Sequence, residues 1–384
     1  MKLFNTILLI PLFIAFAGNS LCAQKAIKLE KQQTTFSYVQ LNLHAGYLHD
    51  PGDNRWDLTN KSPGNQVTFQ LFSKRQHRLQ KGYTRLISLI SWKFRFSLAY
   101  DKSVDANDIK SGTFKFKLND LWAKFGTKWD RTTITVGKRS LPYGHSPQLD
   151  PASSFMANII KTDFGFNRDV GIFLKTPVSA VLDLECALTT GGWLNSPPFT
   201  YGNVLKNEAL PDDQSEFTTD FSYNNTWLAT ARLGSPSFKK HEFGLLTALG
   251  YIPSTFISDE MMHIYRIGGE WLYKHHELFK VTNQATTGPT LTATRGNFLG
   301  FNMQNSIDVF LVGKFIISFS HSLSIFGDLE SENDFLSGNL AGSFTYAITP
   351  HTRLRCNLYA SYKNGDTGAP RGILLQFVTG IGKR

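Results

Sequence analysis

Leu86-Ile87-Ser88-Leu89-Ile90-Ser91-Trp92-Lys93-Phe94-Arg95-Phe96-Ser97-Leu98-Ala99-Tyr100 is the stretch on which the fold turns. One side of it reads Leu86, Ser88, Ile90, Trp92, Phe94, Phe96, Leu98 and Tyr100, and the other carries Ser91, Lys93, Arg95 and Ser97. Successive side chains of a strand point to opposite faces, so a period of two describes a strand that is greasy on one face and wet on the other. The same period recurs at Val39-Leu41-Leu43-Ala45-Tyr47, and again near the end at Leu354-Cys356-Leu358-Ala360-Tyr362, interleaved with Arg353, Arg355, Asn357 and Lys363. Few segments have helical spacing. The chain is all-β.

Composition narrows the class. The 384 residues carry 40 Lys and Arg against 30 Asp and Glu, a net charge of +10, with charged residues at 18% and hydrophobic ones at 41%. A polytopic helical membrane protein would need several runs of about 20 apolar residues, which this chain lacks. Abundant aromatics, 13% of the chain, argue against disorder. Three Cys are too few for a disulfide scaffold. The positive balance by itself does not choose among nucleic acid, anionic lipid and anionic solutes.

The N-terminus points to export. Lys2, the apolar run Ile7 to Ala17 and the small-residue end Gly18-Asn19-Ser20-Leu21-Cys22-Ala23 have the layout of a secretory signal peptide. Cleavage is expected after Ala23, with Ser20 as the other site. Residues 1–23 are then the signal and 24–384 a single domain.

An exported all-β chain can be a sandwich or a membrane barrel. Outer-membrane barrels put apolar residues outward and polar ones toward a lumen, and alternate short periplasmic turns with long external loops. Here short connections at 128–131, 176–179, 235–240, 274–276 and 349–351 alternate with long ones near 50–64, 101–111, 141–167, 191–221, 252–261, 286–296, 331–337 and 364–370. This parity favours a transmembrane antiparallel β-barrel of about 16 strands, with fourteen or eighteen open. Expected strands run from 35–49 to 371–382 and include 277–286 and 338–349. A barrel of that size encloses a channel rather than a packed core.

At Thr135-Val136-Gly137-Lys138-Arg139 and Leu141-Pro142-Tyr143-Gly144 the sequence resembles the strand and Pro-aromatic-Gly turn of phosphate-selective-type outer-membrane porins of Gram-negative bacteria. Arg168-Asp169-Val170-Gly171-Ile172-Phe173-Leu174 resembles the strand after their long loop. The resemblance implies a cell outer membrane location among its lipids, a passive channel and a homotrimer. It departs at the end of the chain: such barrels close on an aromatic residue, whereas this one reads Gly380-Ile381-Gly382-Lys383-Arg384, its nearest aromatic being Phe377.

Candidate pore-lining, anion-binding residues are the cations on expected inward faces: Lys93 with Arg95, Lys115 with Lys117, Arg353 with Arg355, and Arg139, Arg168 and Arg232 beside them. A spacing of two sets each pair about 7 Å apart on one wall. Cations in a narrow pore lower the barrier for anions, and the planar Arg fork suits carboxylate and phosphate. The plainer reading is a solvated wall balanced by Asp183, Glu185, Glu270, Asp308 and Asp328. Loop 141–167 is the candidate for folding into the lumen, an external lid or trimer-contact loop being the other reading.

No catalytic site is expected. A lipase-type Ser and His on one strand face need a spacing of two, and no His-x-Ser occurs. Neither His275-His276-Glu277 nor Asp50-Pro51-Gly52-Asp53-Asn54 has metal-ligand spacing, so no metal or cofactor is expected. Nucleic acid is disfavoured, because the basic residues are spread over strands rather than gathered on a patch. The expected function is an outer-membrane porin for small hydrophilic solutes with mild anion preference. The alternative is an interaction barrel in surface assembly or secretion, without an open pore, docking through loops 141–167 and 191–221.

Overall fold

A computed structural model describes residues 31–50, 53–57, 66–77, 89–101, 104–105, 108–109, 113–126, 132–144, 168–191, 226–236, 240–252, 261–275, 278–292, 297–311, 314–328, 334–349, 352–363 and 371–382. Among these residues every regular element is a strand. In chain order they are β1 (Lys31–Asp50), β2 (Asp53–Asp57), β3 (Gln66–His77), β4 (Leu89–Asp101), β5 (Val104–Asp105), β6 (Asp108–Ile109) and β7 (Thr113–Gly126). Then come β8 (Thr133–Ser140), β9 (Arg168–Pro177), β10 (Asp183–Thr189), β11 (Trp227–Gly234), β12 (His241–Ile252) and β13 (Met262–His275). The last are β14 (Phe279–Thr292), β15 (Asn297–Phe310), β16 (Phe315–Asp328), β17 (Asp334–Thr349), β18 (Thr352–Lys363) and β19 (Arg371–Gly382).

Sixteen of these form one closed antiparallel barrel, each pairing with the next in sequence. The ring shuts where β19 lies along β1, from Gly382 opposite Tyr38 to Arg371 opposite His49. In that pairing Phe377 sits opposite Leu43. Three short pieces stand outside the count. β2 folds back on the outer end of β1, and β5 and β6 pair with each other in the β4–β7 connection.

The wall has the inverse arrangement of a soluble sandwich. Outward side chains are apolar and exposed, for example Leu43, Phe116, Ile172, Leu245, Phe319, Leu358 and Leu375. Inward ones are polar and shielded by one another, such as Gln40, Asn42, Ser97, Thr230, Gln284, Asn357 and Gln376. Water on one side and hydrocarbon on the other explain both faces. Closure leaves no strand edge unpaired, which a lipid environment requires. Aromatic pairs gather near the strand ends: His241 with Tyr273 and Phe315 with Tyr346 at one end, Trp227 with Tyr251 at the other.

Strand count and order agree with the sequence reading, and the largest difference lies in β14. Residues 286–296 read as a long loop, yet β14 continues through Gly288-Pro289 to Thr292 and leaves only 293–296 before β15. Gly288 takes a left-handed φ of 151°. Ladder pairing with β13 lapses there, between Ile264–Thr290 and Ile267–Thr287. Arg266 fills the lapse, donating from Nη1 to the carbonyls of Gly288 and Pro289 at 2.8 Å each. A side chain thus takes acceptors that the proline-broken ladder leaves over. Similarly, β17 begins at Asp334, so the expected 331–337 loop is shorter.

Candidate functional site

The lumen wall is built from the inward face of each strand, and one irregularity shapes it. On β7 the outward residues run Phe116, Leu118 and then Leu121, a change from even to odd numbers. Asn119 is the extra residue of a β-bulge: Arg95 pairs with Asp120 while Phe96 pairs with Leu118. Bulges re-aim side chains. Here the bulge turns Asp120 inward, where an unbroken alternation would have sent it to the outer wall. Asn119 donates to Ser97 Oγ at 2.6 Å, which holds the bulge in place.

Three cations converge on that carboxylate. Lys93 Nζ lies 3.0 Å from Asp120 Oδ2, Arg168 Nε 3.2 Å from Oδ1, and Arg95 Nη1 4.0 Å from Oδ2. Asp120 thus draws three cations from β4 and β9 to one point of the wall. Sequence reasoning missed Asp120, although the switch of apolar parity between Leu118 and Leu121 marks the bulge that aims it.

Elsewhere the wall is closer to balance. Arg232 on β11 pairs with Glu270 on β13 and lies 3.8 Å from Glu185 on β10. Lys175 bridges Glu185 at 2.7 Å and Asp183 at 3.2 Å. Lys274 meets Glu242 at 3.0 Å, and Lys280 approaches Asp308 at 3.9 Å. Arg139 at the end of β8 donates to Thr135 and stacks its guanidinium over Phe173, 5.0 Å from the ring centre.

Arg353 and Arg355 are both inward on β18, on either side of the exposed Leu354. Arg355 donates to Gln376 of β19 at 3.2 Å. Lys115 and Lys117 are strand positions paired with Ala99 and Ser97, and their side chains lie outside the described residues. Of the expected cations, the structure thus brings together Lys93, Arg95 and Arg168. It places Arg353 beside Arg355 on a distant strand, and joins Arg232 to an acidic group of its own.

Past the end of β8 the chain turns inside the barrel. Leu141 and Tyr143 are buried at 3% and 1% exposure, in one apolar cluster with Phe173, Ala187, Leu228, Leu246, Ile252, Met262 and Ile264. These partners come from the inward faces of β9 to β13. The remainder of 141–167 lies outside the described residues, as do residues 1–30 and 276–277. Among the described residues no cluster of His, Cys, Asp and Glu could hold a metal ion.

With that geometry in hand, the chain can be set beside known proteins. No protein-family model matches it, and no curated protein matches it by sequence. Solved structures do match. The trimer form of OmpT, an outer membrane protein of Vibrio cholerae, aligns with TM-score 0.60 at 7% identity, over 91% of this chain and 99% of that one. The anion-selective porin from Comamonas acidovorans aligns at 0.58 and 10% identity, over 92% and 100%. The outer membrane channel DcaP of Acinetobacter baumannii aligns at 0.56 and 8%, over 94% and 100%. The fold is that of the outer-membrane β-barrels. At these identities the likeness speaks for the fold alone.

Proposed function

We propose that this protein is a porin-like channel of the Gram-negative outer membrane, through which small hydrophilic solutes diffuse passively, with mild preference for anions. The observation that carries the reading is the inverted wall: an apolar exterior around a lumen whose inner face gathers Lys93, Arg95 and Arg168 at Asp120. That cluster is one concentration of cations on the wall. A second is the Arg353–Arg355 pair on β18.

An anion entering such a lumen exchanges part of its hydration for Lys and Arg donors, and a cation meets a barrier. Guanidinium forks favour carboxylates and phosphates, in keeping with the porin type that the chain resembles. The buried Leu141 and Tyr143 support a loop 141–167 that folds into the lumen and narrows it. The polar lining then acts in permeation rather than catalysis. Export through a cleaved signal at 1–23 and assembly as a homotrimer complete the reading, one of the similar solved barrels being described as a trimer form.

Purified protein reconstituted in planar bilayers tests it. Stepwise conductance is expected, with a reversal potential in a salt gradient that favours anions. Insertion without conductance steps would sink the channel reading and leave an interaction barrel.

A further inference from the structure

At mid-height the outer wall carries a row of polar groups. Asn283 on β14, Asn305 on β15 and His321 on β16 stand side by side in register, Asn283 opposite Asn305 and Asn305 opposite His321. All three take outward positions. Their strand neighbours Thr282, Gln284, Gln304, Ser320 and Ser322 point inward and are buried, while Ile307 and Phe319, two residues away on the same face, are exposed.

Asn283, Asn305 and His321 each lie at least four residues inside their strands. Asn305 lies between Met303 and Ile307 on its face of β15, and His321 between Phe319 and Leu323 on β16. Tyr362 of β18 extends the row, its phenol 2.9 Å from His321 Nε2 and its ring stacked on the imidazole. The carboxamides of Asn283 and Asn305 make no hydrogen bond of this kind among the described residues. Next to the row an open groove of about 820 Å³ runs on toward β19. Gly342 and Ala360 leave it shallow-floored, and Phe319, Leu340 and Leu358 rise beside it, each more than half exposed.

We propose that this face, β14 to β18, docks a second copy of this chain, with the Asn283–Asn305–His321 row hydrogen-bonding across the interface. The inference rests on the reading that the outer wall meets lipid. Hydrocarbon offers an amide nothing, so a carboxamide held there loses its hydrogen bonds. Small residues that permit close approach, beside Asn and His that bond across, are the features by which membrane-embedded surfaces associate.

The chemistry also selects the partner. A carboxamide carries two donors and two acceptors, so identical rows from related copies satisfy each other around a closed ring, each donating to one neighbour and accepting from the next. A lipid chain could fill the groove, yet it would leave the amides unmet. An identical chain is both complementary and present wherever the protein is.

Two measurements on the full chain in lipid vesicles test the proposal. In a Cys186→Ser/Cys356→Ser background, Asn305→Cys should form covalent dimers with a short bismaleimide. Leu121→Cys, exposed on β7 across the ring, should not. The triple variant Asn283→Leu/Asn305→Leu/His321→Leu should migrate as monomers on unheated gels. It should keep the heat-modifiable barrel and the conductance per barrel. Absence of the Asn305→Cys cross-link, equal cross-linking at Leu121→Cys, or a triple variant that stays oligomeric would each overturn the proposal. An Asn305→Cys chain that cross-links but passes no current overturns the channel reading instead, and an unsubstituted chain that conducts as a monomer overturns this proposal alone.

Discussion

Tyr143 is buried in one apolar cluster with Ile264, although the strand preceding the first, β8, is separated from the strand carrying the second, β13, by four strands around the ring. Contact at that separation means the chain leaves β8 and runs across the lumen instead of continuing outward. Tyr143 is buried among inward side chains of β11, β12 and β13, so it anchors the start of the long loop.

Replacing that anchor tests its role in the pore. Truncating a buried aromatic costs about 3–5 kcal/mol of local packing. Tyr143→Ala should therefore loosen the loop and raise single-channel conductance or its noise, while the barrel remains heat-modifiable. Deleting 147–160 should raise conductance further. Unchanged conductance in both would place the loop outside the constriction.

Asp120 tempers the cation cluster, so its removal and that of the cations should act in opposite directions. Asp120→Asn takes one negative charge from beside Lys93, Arg95 and Arg168, and the reversal potential should move toward anions. Gln at Lys93, Arg95, Arg353 and Arg355 together should move it toward cations. The shift should persist at moderate salt, because charges inside a narrow lumen are screened less than exposed ones. Identical potentials for both variants would remove these residues from the permeation path.

The Arg232–Glu270 pair is nearly sealed from solvent, with side-chain exposures of 7% and 0%. Removing one partner from a buried pair costs on the order of 3–5 kcal/mol, whereas replacing both by apolar residues is often neutral. Arg232→Met alone should lower the unfolding midpoint in detergent, and Arg232→Met/Glu270→Met should recover most of the loss. A double variant as unstable as the single would show that the pair is not the cause.

Cys186 and Cys356 act as rulers. They are free and lie on β10 and β18, seventh and fifteenth around a ring of sixteen. Glu185 and Ala187 flank the first and Arg355 and Asn357 the second on the opposite, inward face. Half a barrel separates two thiols that a disulfide needs within about 7 Å between Cα atoms. A lipid-soluble maleimide should label both in vesicles, and a charged impermeant one should label neither. A Cys186–Cys356 bridge found by mass spectrometry would contradict the ring order.

Much of this was legible from alternation. Ile90-Trp92-Phe94-Phe96-Leu98 against Ser91-Lys93-Arg95-Ser97 settles which face of β4 meets lipid, because a period of two is a local property that needs no partner strand. Repeated along the chain, it yields the strand number and the short-turn, long-loop parity. The continuation of β14 through Gly288-Pro289 was not legible, since the acceptors freed there are taken by Arg266 from the neighbouring strand.

Charge compensation was decided only by the tertiary structure. Nothing local separates Arg232, joined to Glu270 from two strands away, from Arg95, which shares one carboxylate with two other cations. The one-residue bulge at Asn119 decided that sharing by turning Asp120 inward. Facing follows from the sequence because it repeats every two residues. Which inward charges meet depends on register between strands, a sum over the whole closed ring that no single segment contains.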